Sequence, residues 1–348
     1  MQFNTLFILN YKFMKKYSLF VGIDISKSKL DISVLSEPDQ KKNDHFIVTN
    51  NSKGIGELLQ VLKKRQPDLS TMLFCFENTG VYGMPLTFYL SKIKADFWVV
   101  PAIEIKRSKG ISRGKTDKSD ARDIAFYAVT NLRKLKLYQL PEADILKLHL
   151  LLSQREKLLK CIHILSMNEE NNIFLPKEIT REIKSTNSST IKKLKQSMKQ
   201  VEDKMTAIIK SNETIKKQYS LATSVPGIGR QTAITFIVAT RCFSSFENWR
   251  KMACYAGIAP FKYTSGTTIK GRTKVHPMAN KKLKSMLNLC ALSAKKCDTE
   301  IKLYYNKKVA EGKNKMSVLN AIRCKVLSRL FATVNRGTPY VNTQKFAA

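Results

Sequence analysis

Acid is scarce beside base in this chain. Its 348 residues carry 61 Lys and Arg against 27 Asp and Glu, a formal charge of +34. So large an excess repels itself unless a polyanion is at hand, and nucleic acid is the polyanion it points to. The rival is a membrane surface, but no basic amphipathic helix stands at either end, and no apolar run approaches the length that spans a bilayer. Cysteine is also sparse: seven residues with no C-x-x-C pair, beside four histidines that do not cluster. That argues against a zinc site and a disulfide framework, and it points to a reducing cytosol in which the cysteines fill cores. Met1–Phe13 lacks the basic start of a signal peptide and is followed by Met14-Lys15-Lys16. Met14 is therefore the expected functional start, with residues 1–16 a disordered extension.

Because acids are few, their placement is informative. Asp117, Asp120 and Asp123 recur at intervals of three in Gly114–Ala128. Thr116 or Ser119 can cap a helix there, and Ala121, Ile124, Ala125 and Ala128 supply its apolar face. Asp117 and Asp120 then point at one spot. The plain alternative is helix-start electrostatics, since acids suit the positive end of the dipole.

Upstream, Leu19–Ile25 and Leu30–Leu35 read as strands joined by a turn at Ser26–Lys29, with Phe46–Thr49 a third. A helix follows over Asn51–Arg65, capped by Asn51 or Ser52. Thr71–Phe76 is a buried strand running into Glu77, and then come a helix over Tyr82–Ile93 and a strand at Phe97–Val100. Asp24 lies near the end of the first strand, where an acid is costly unless it binds something. Between the last strand and the Asp117 helix lies a basic loop with Lys106, Arg107, Lys109, Arg113 and Lys115. The order β-β-β-α-β-α-β-α, with acids at two strand ends and a late helix, is the layout of an RNase H-like nuclease. Two Mg²⁺ (or Mn²⁺) ions would give Asp24, Glu77, Asp117 and Asp120 a reason to stand together, because Mg²⁺ prefers hard oxygen ligands. Without metal such acids repel and one stays protonated.

From Pro141 the pattern changes to long helices. Ile145, Leu148, Leu152, Leu159, Ile162 and Leu165 form one stripe; Ile191, Leu194, Met198, Val201, Met205 and Ile208 form a heptad seam. Polar breaks are expected at Asn168–Asn172 and Ser185–Ser189, giving a helical hairpin or coiled coil. Next, Pro226-Gly227-Ile228-Gly229 reads as a helix-hairpin-helix turn whose backbone N–H groups suit a phosphate, or as an ordinary turn. Between Glu247 and Asp298 there is no acid and there are eleven basic residues, among them Lys262, Lys270, Arg272, Lys274, Lys281 and Lys282. Solvated helices normally mix signs, so this block reads as a binding surface. It contains Ser265-Gly266 in a loop, a Gly271–Lys274 turn and an apolar helix near Ala279–Ala294.

Taken in order, these pieces resemble the DEDD transposases of bacterial insertion sequences, the insertion-sequence 110 family that includes Piv-type DNA invertases. The matching stretches are VGIDISKSKLDISVL with Asp24, FENTGVYG with Glu77, and KTDKSDARDIAFYA with Asp117 and Asp120. Further on come SVPGIGRQTA and CYAGIAPFKYTSGTTIKGRTKVHPMANKKLKSML. The resemblance implies a RuvC-like domain over 17–140 whose four acids bind divalent metal. It implies a coiled-coil linker over 141–220, a mostly helical transposase domain over 221–335 and a tail over 336–348. Ser265 is implied as the nucleophile that joins covalently to DNA, and a structured guide RNA as the partner that pairs with donor and target DNA. It further implies a homo-oligomer, dimer or tetramer, with composite active sites, acting in the bacterial cytoplasm at the nucleoid. Asp123 falls outside the motif. The segment His276–Asn280 departs from the family's usual Gly-Asn, and His276 is the nearby candidate base for Ser265.

Two other readings use the same residues. A RuvC-like junction endonuclease would employ the acids with water as nucleophile and leave Ser265 dispensable. A non-enzymatic architectural protein would use the acids only as helix caps and strand-end charges.

Overall fold

Near-continuous apolar runs build the first sheet, buried on both faces. In the computed structural model, which describes residues 16–37, 44–108, 116–171, 176–265, 269–275 and 278–342, β1 (Leu19–Ile25), β2 (Lys29–Leu35) and β3 (Asp44–Thr49) form an antiparallel meander. Helix α1 (Ser52–Arg65) then crosses to β4 (Met72–Glu77), which lies parallel to β1. Helix α2 (Met84–Lys92) leads to β5 (Phe97–Val100), parallel to β4. The sheet order is β3-β2-β1-β4-β5. Asn51 caps α1 by accepting from the Gly54 N–H. The stretch expected as one helix from Tyr82 begins instead with a 3₁₀ turn, Gly80–Gly83, and α2 starts at Met84 with Pro85 in its first turn.

Side-chain alternation gives each face of this sheet its own core. Val21, Ile23, Leu30, Ile32, Phe74 and Phe76 pack under α1 and α2. Phe20, Leu73, Cys75, Trp98 and Val100 face the other way and meet Ile124, Tyr127 and Ala128 of α4 (Asp117–Thr130). Before α4 comes a short helix, α3 (Ala102–Ser108), so Lys106 and Arg107 sit in its last turn and not in a loop. Lys109, Arg113 and Lys115 lie outside the described residues, as does the expected extension apart from Lys16.

The chain divides into two compact units, Met1–Leu140 and Pro141–Ala348. The second opens with two long helices, α5 (Ala143–Asn171) and α6 (Lys177–Ser211), packed along one another. No break occurs at Ser185–Ser189: α6 runs through it, because polar residues on the solvent side of a long helix cost little once another face is packed. The α5 stripe is buried at Ile145, Leu148 and Leu152, but Leu159 is exposed and Leu158 is the buried neighbour. Arg155 donates to Glu202 across the pair at 2.6 Å. Ile145, Leu148, Leu152, Met205 and Ile209 share one apolar cluster with Ile234 and Ile237 of a later helix, so both lie in a single core.

That later helix is α8 (Arg230–Thr240), preceded by α7 (Glu213–Ser224). After α9 (Trp249–Tyr255) a hairpin of β6 (Phe261–Ser265) and β7 (Ile269–Lys274) projects from a helical frame. The frame is α10 (Lys281–Cys297), α11 (Thr299–Ala310) and α12 (Lys315–Arg336). Gly257 joins the two ends of the hairpin: its φ is +69°, and a Cβ there would lie 2.4 Å from Ala279 Cβ. Beneath it, Arg323 is buried and donates to Asn288 Oδ1 at 2.6 Å and to Asn320 Oδ1. Asn320 in turn donates to the Ile258 carbonyl. Among the described residues no helix is long and apolar enough to cross a membrane.

Candidate active site

Glycine at position 22 brings the first acids together. A Cβ on Gly22 would stand 2.2 Å from the Ala125 nitrogen and 2.3 Å from the Ala121 carbonyl oxygen, so α4 rests directly on β1 at this point. Two residues on, Asp24 is on the same face of the strand and points at the first turn of α4. Thr116 caps that turn in a capping box with Ser119, which sets Asp117 and Asp120 at its start. Thr116, one of the two residues expected to cap, is therefore the cap itself. Glu77 ends β4 on the α4 side of the sheet, next in register after Phe76, which pairs with Ile23.

Burial first, and then the charges of Asp120, Asp117, Glu77 and Asp31, push the Asp24 carboxyl up to about 6. These four neighbours are close enough to repel Asp24. Among the described residues, however, no three acids, histidines or cysteines stand close enough together to hold a metal ion as they are. The two findings agree physically, since carboxylates that share no metal ion repel one another. The donors are hard carboxylate oxygens, the chemistry Mg²⁺ and Mn²⁺ select, and a cation would relieve the cost of charging Asp24. At the rim, Asn50 Nδ2 donates to the Ser26 and Tyr82 carbonyls, tying the β1–β2 turn to the 3₁₀ turn after Glu77. The residue set fits a divalent ion.

Three residues at this site escaped the sequence reading: Asp31, Lys29 and His45. Asp31 is paired directly with Asp24 across β1 and β2 and is 3% exposed. His45 Nε2 lies 3.1 Å from Asp31 Oδ1, and Lys29 Nζ lies 3.0 Å from Asp31 Oδ2. The same ammonium is 2.7 Å from Asp117 Oδ2, and the two carboxylates, Asp117 first, hold its pKa up at about 12. A signal was present: Asp31 is an acid between Leu30 and Ile32 in a mainly apolar strand, the argument that singled out Asp24.

In the second unit, Ser265 is the last residue of β6, paired with Ile269; it is not in a loop. Gly271–Lys274 is strand, not a turn. The pairing of β6 with β7 draws the serine into the ladder. His276 lies outside the described residues, and the side chains of Lys262, Lys270, Arg272 and Lys274 are not described. Lys281 is exposed at the start of α10, and Lys282 forms an ion pair with Glu156 of α5. Gly227 has φ +91°, and a Cβ there would meet the Cys290 carbonyl oxygen at 2.5 Å, so packing on α10 requires glycine. Gly229 is exposed as the N-cap of α8. Lys106 and Arg107 are exposed on α3.

Two family models match this chain. One, described as a transposase of the DEDD insertion-sequence 110 type, covers residues 21–171, and one described as "Transposase IS116/IS110/IS902 family" covers residues 219–306. The first span includes Asp24, Glu77, Asp117 and Asp120; the second includes Ser265. A pilin gene-inverting protein of Moraxella bovis is 28% identical over 331 residues, covering 92% of this chain and 97% of that one. Its counterpart from Moraxella lacunata is 27% identical over the same length. An uncharacterized 43.6 kDa protein of insertion element IS110 from Streptomyces coelicolor is 34% identical over 118 residues, 34% of this chain and 29% of that protein. The class is thus transposase and DNA recombinase, an enzyme acting on DNA. The chain belongs to the IS110 family of transposases.

Proposed function

We propose that this transposase cuts and exchanges DNA strands through a covalent phosphoserine on Ser265, with Asp24, Glu77, Asp117 and Asp120 holding divalent metal in an RNase H-like domain. The observation that carries the reading is the placement of those four acids, with Asp31, around the end of β1, where burial first and then the neighbouring charges raise the Asp24 carboxyl to about 6. When bound, Mg²⁺ or Mn²⁺ ions, two in the full reading, supply Lewis-acid stabilisation of charge on the phosphate and its attacking and leaving oxygens.

The chain's own residues do the rest. The Ser265 Oγ attacks a backbone phosphorus as its proton leaves, the Oγ–P bond forms, and the bond from phosphorus to one sugar oxygen breaks. That oxygen departs and takes up a proton. Attack by another strand's hydroxyl reverses the sequence and frees the serine, so the number of phosphodiesters is unchanged and no external energy is needed. A serine hydroxyl is a weak nucleophile alone. The carboxylate site is therefore assigned its activation, in an assembly of two or four subunits where one subunit's acids complete another's serine.

In this reading 17–140 carries the acids, 141–220 is a coiled-coil linker, 221–335 carries the serine and 336–348 is a tail; the unit boundary at Leu140/Pro141 supports the first division. The charge of +34 supports contact with donor and target DNA and with a structured guide RNA. Lys106, Arg107, Lys109, Arg113 and Lys115 would draw a phosphate backbone toward the acids. Lys262, Lys270, Arg272, Lys274, Lys281, Lys282 and the Gly227–Gly229 turn would grip it in the second unit. Incubating the full chain with its element's DNA and Mg²⁺, then running a denaturing gel, tests the reading. A protein–DNA adduct is expected in the wild type and none in Ser265→Ala. An adduct persisting in Ser265→Ala would sink the serine assignment, while undiminished cleavage by that variant would favour hydrolysis by water.

A further inference from the structure

Lys29 stands in the carboxylate site as a cation the protein supplies itself. Its ammonium bridges Asp31 Oδ2 at 3.0 Å and Asp117 Oδ2 at 2.7 Å, joining the start of β2 to the first turn of α4. The two ends of the bridge differ in freedom. The Asp31 side chain is 4% exposed and also held by His45, whereas Asp117 is 56% exposed at a helix start. The firm end is thus Asp31, and the end that can be exchanged is Asp117.

We propose that Lys29 is a built-in counter-ion that holds Asp117 in the metal-free enzyme, and that a divalent ion binds by taking Asp117 from it. The inference rests on the metal reading above and adds a competitor to it. A compact ammonium and a divalent cation cannot share one carboxylate oxygen without close like-charge contact, so one leaves as the other arrives. Lys29 thereby keeps α4 docked against β2 before metal arrives and lowers the affinity for the ion. Linkage makes the two effects reciprocal: what metal does to the Lys29–Asp117 contact, that contact does to metal binding. Asp31 acts as the positioning residue, retaining the displaced ammonium beside the site.

Calorimetric titration of Mn²⁺ into the full-length chain tests this by comparing wild type, Lys29→Met and Lys29→Arg. Lys29→Met keeps the side-chain length without the charge. It is expected to bind Mn²⁺ about tenfold more tightly, within the usual range of such coupling, and to melt lower than wild type in the absence of metal. Lys29→Arg keeps the charge and is expected to bind as wild type does or more weakly. Equal or weaker binding by folded Lys29→Met overturns the proposal, because the ammonium would then not compete with the ion. No binding by the wild type overturns this proposal together with the metal reading, whereas binding by the wild type without a gain in Lys29→Met overturns this one alone. Should Lys29→Met fail to fold, the wild type still decides the matter: limiting acetic anhydride, read by mass spectrometry, should label Lys29 severalfold faster once Mn²⁺ is added. An unchanged rate contradicts displacement.

Discussion

Gly22→Ala changes one hydrogen to a methyl group at the point where helix meets strand. The added Cβ would lie 2.2 Å from the Ala125 nitrogen and 2.3 Å from the Ala121 carbonyl oxygen, where ordinary contact begins near 3.4 Å. Both atoms are backbone, so no side-chain rotation relieves the clash and α4 must withdraw from β1 by about 1 Å, at a cost of about 1–3 kcal/mol. The same movement carries Asp117 and Asp120 away from Asp24, and a misplacement of about 1 Å can cost about 100-fold in catalysis. Urea unfolding gives the first figure and strand exchange under folded conditions the second. Gly56→Ala is the control: nothing lies within 4 Å of its Cβ position inside α1, and it should gain about 0.5–1 kcal/mol. Shrinking Ala125 to glycine should not rescue Gly22→Ala, because the obstacle is main chain. A Gly22→Ala protein within about 0.5 kcal/mol of wild type, the range of an ordinary surface change, would refute the close approach of α4 and the site geometry built on it.

Asp24 makes the stability of the metal-free enzyme depend on pH. Its carboxyl is raised from 3.8 to about 6, so the folded state holds the proton more tightly than the unfolded chain; stability from this group is present below 3.8 and falls as pH rises to about 6. Urea midpoints in EDTA should show that fall in wild type and lose it in Asp24→Asn; equal pH profiles would refute it. Metal binding has the opposite sign, and Mn²⁺ affinity should rise with pH up to about 6 and then level off. Asn288→Ala removes the acceptor 2.6 Å from the buried Arg323 guanidinium and should cost about 1–3 kcal/mol by urea unfolding; a loss under about 0.5 kcal/mol would mean that water replaces it. Asp120→Asn should abolish strand exchange with the fold intact by circular dichroism, and normal exchange would remove Asp120 from the site.

Much of the framework that carries the acids was legible because apolar strand runs and helix capping are local. Leu19–Ile25 and Phe97–Val100 fall where short apolar runs put them, and the Thr116 cap places Asp117 and Asp120 at a helix start. Asp31 was less legible, because its partnership with Asp24 depends on strand register, which no single strand reveals. Lys29 reads as one lysine of a turn until β2 and α4 are brought together in space. Ser185–Ser189 misled because polarity marks solvent exposure as well as chain breaks, and α6 has a whole face in solvent. Gly227 reads locally as part of a turn, and its packing on α10, which also requires glycine, is tertiary and invisible in the local sequence.

The central claim is that Asp24, Glu77, Asp117 and Asp120 hold one divalent-metal centre. Replacing the ion with Fe²⁺ and adding ascorbate and peroxide generates hydroxyl radicals at the bound metal, which cut the backbone nearby. Fragment masses should place the cuts beside residues 24, 77 and 117–120, suppressed by excess Mg²⁺ and absent in Asp24→Asn. Cuts elsewhere, or cuts in the same places that Asp24→Asn leaves unchanged, would contradict it.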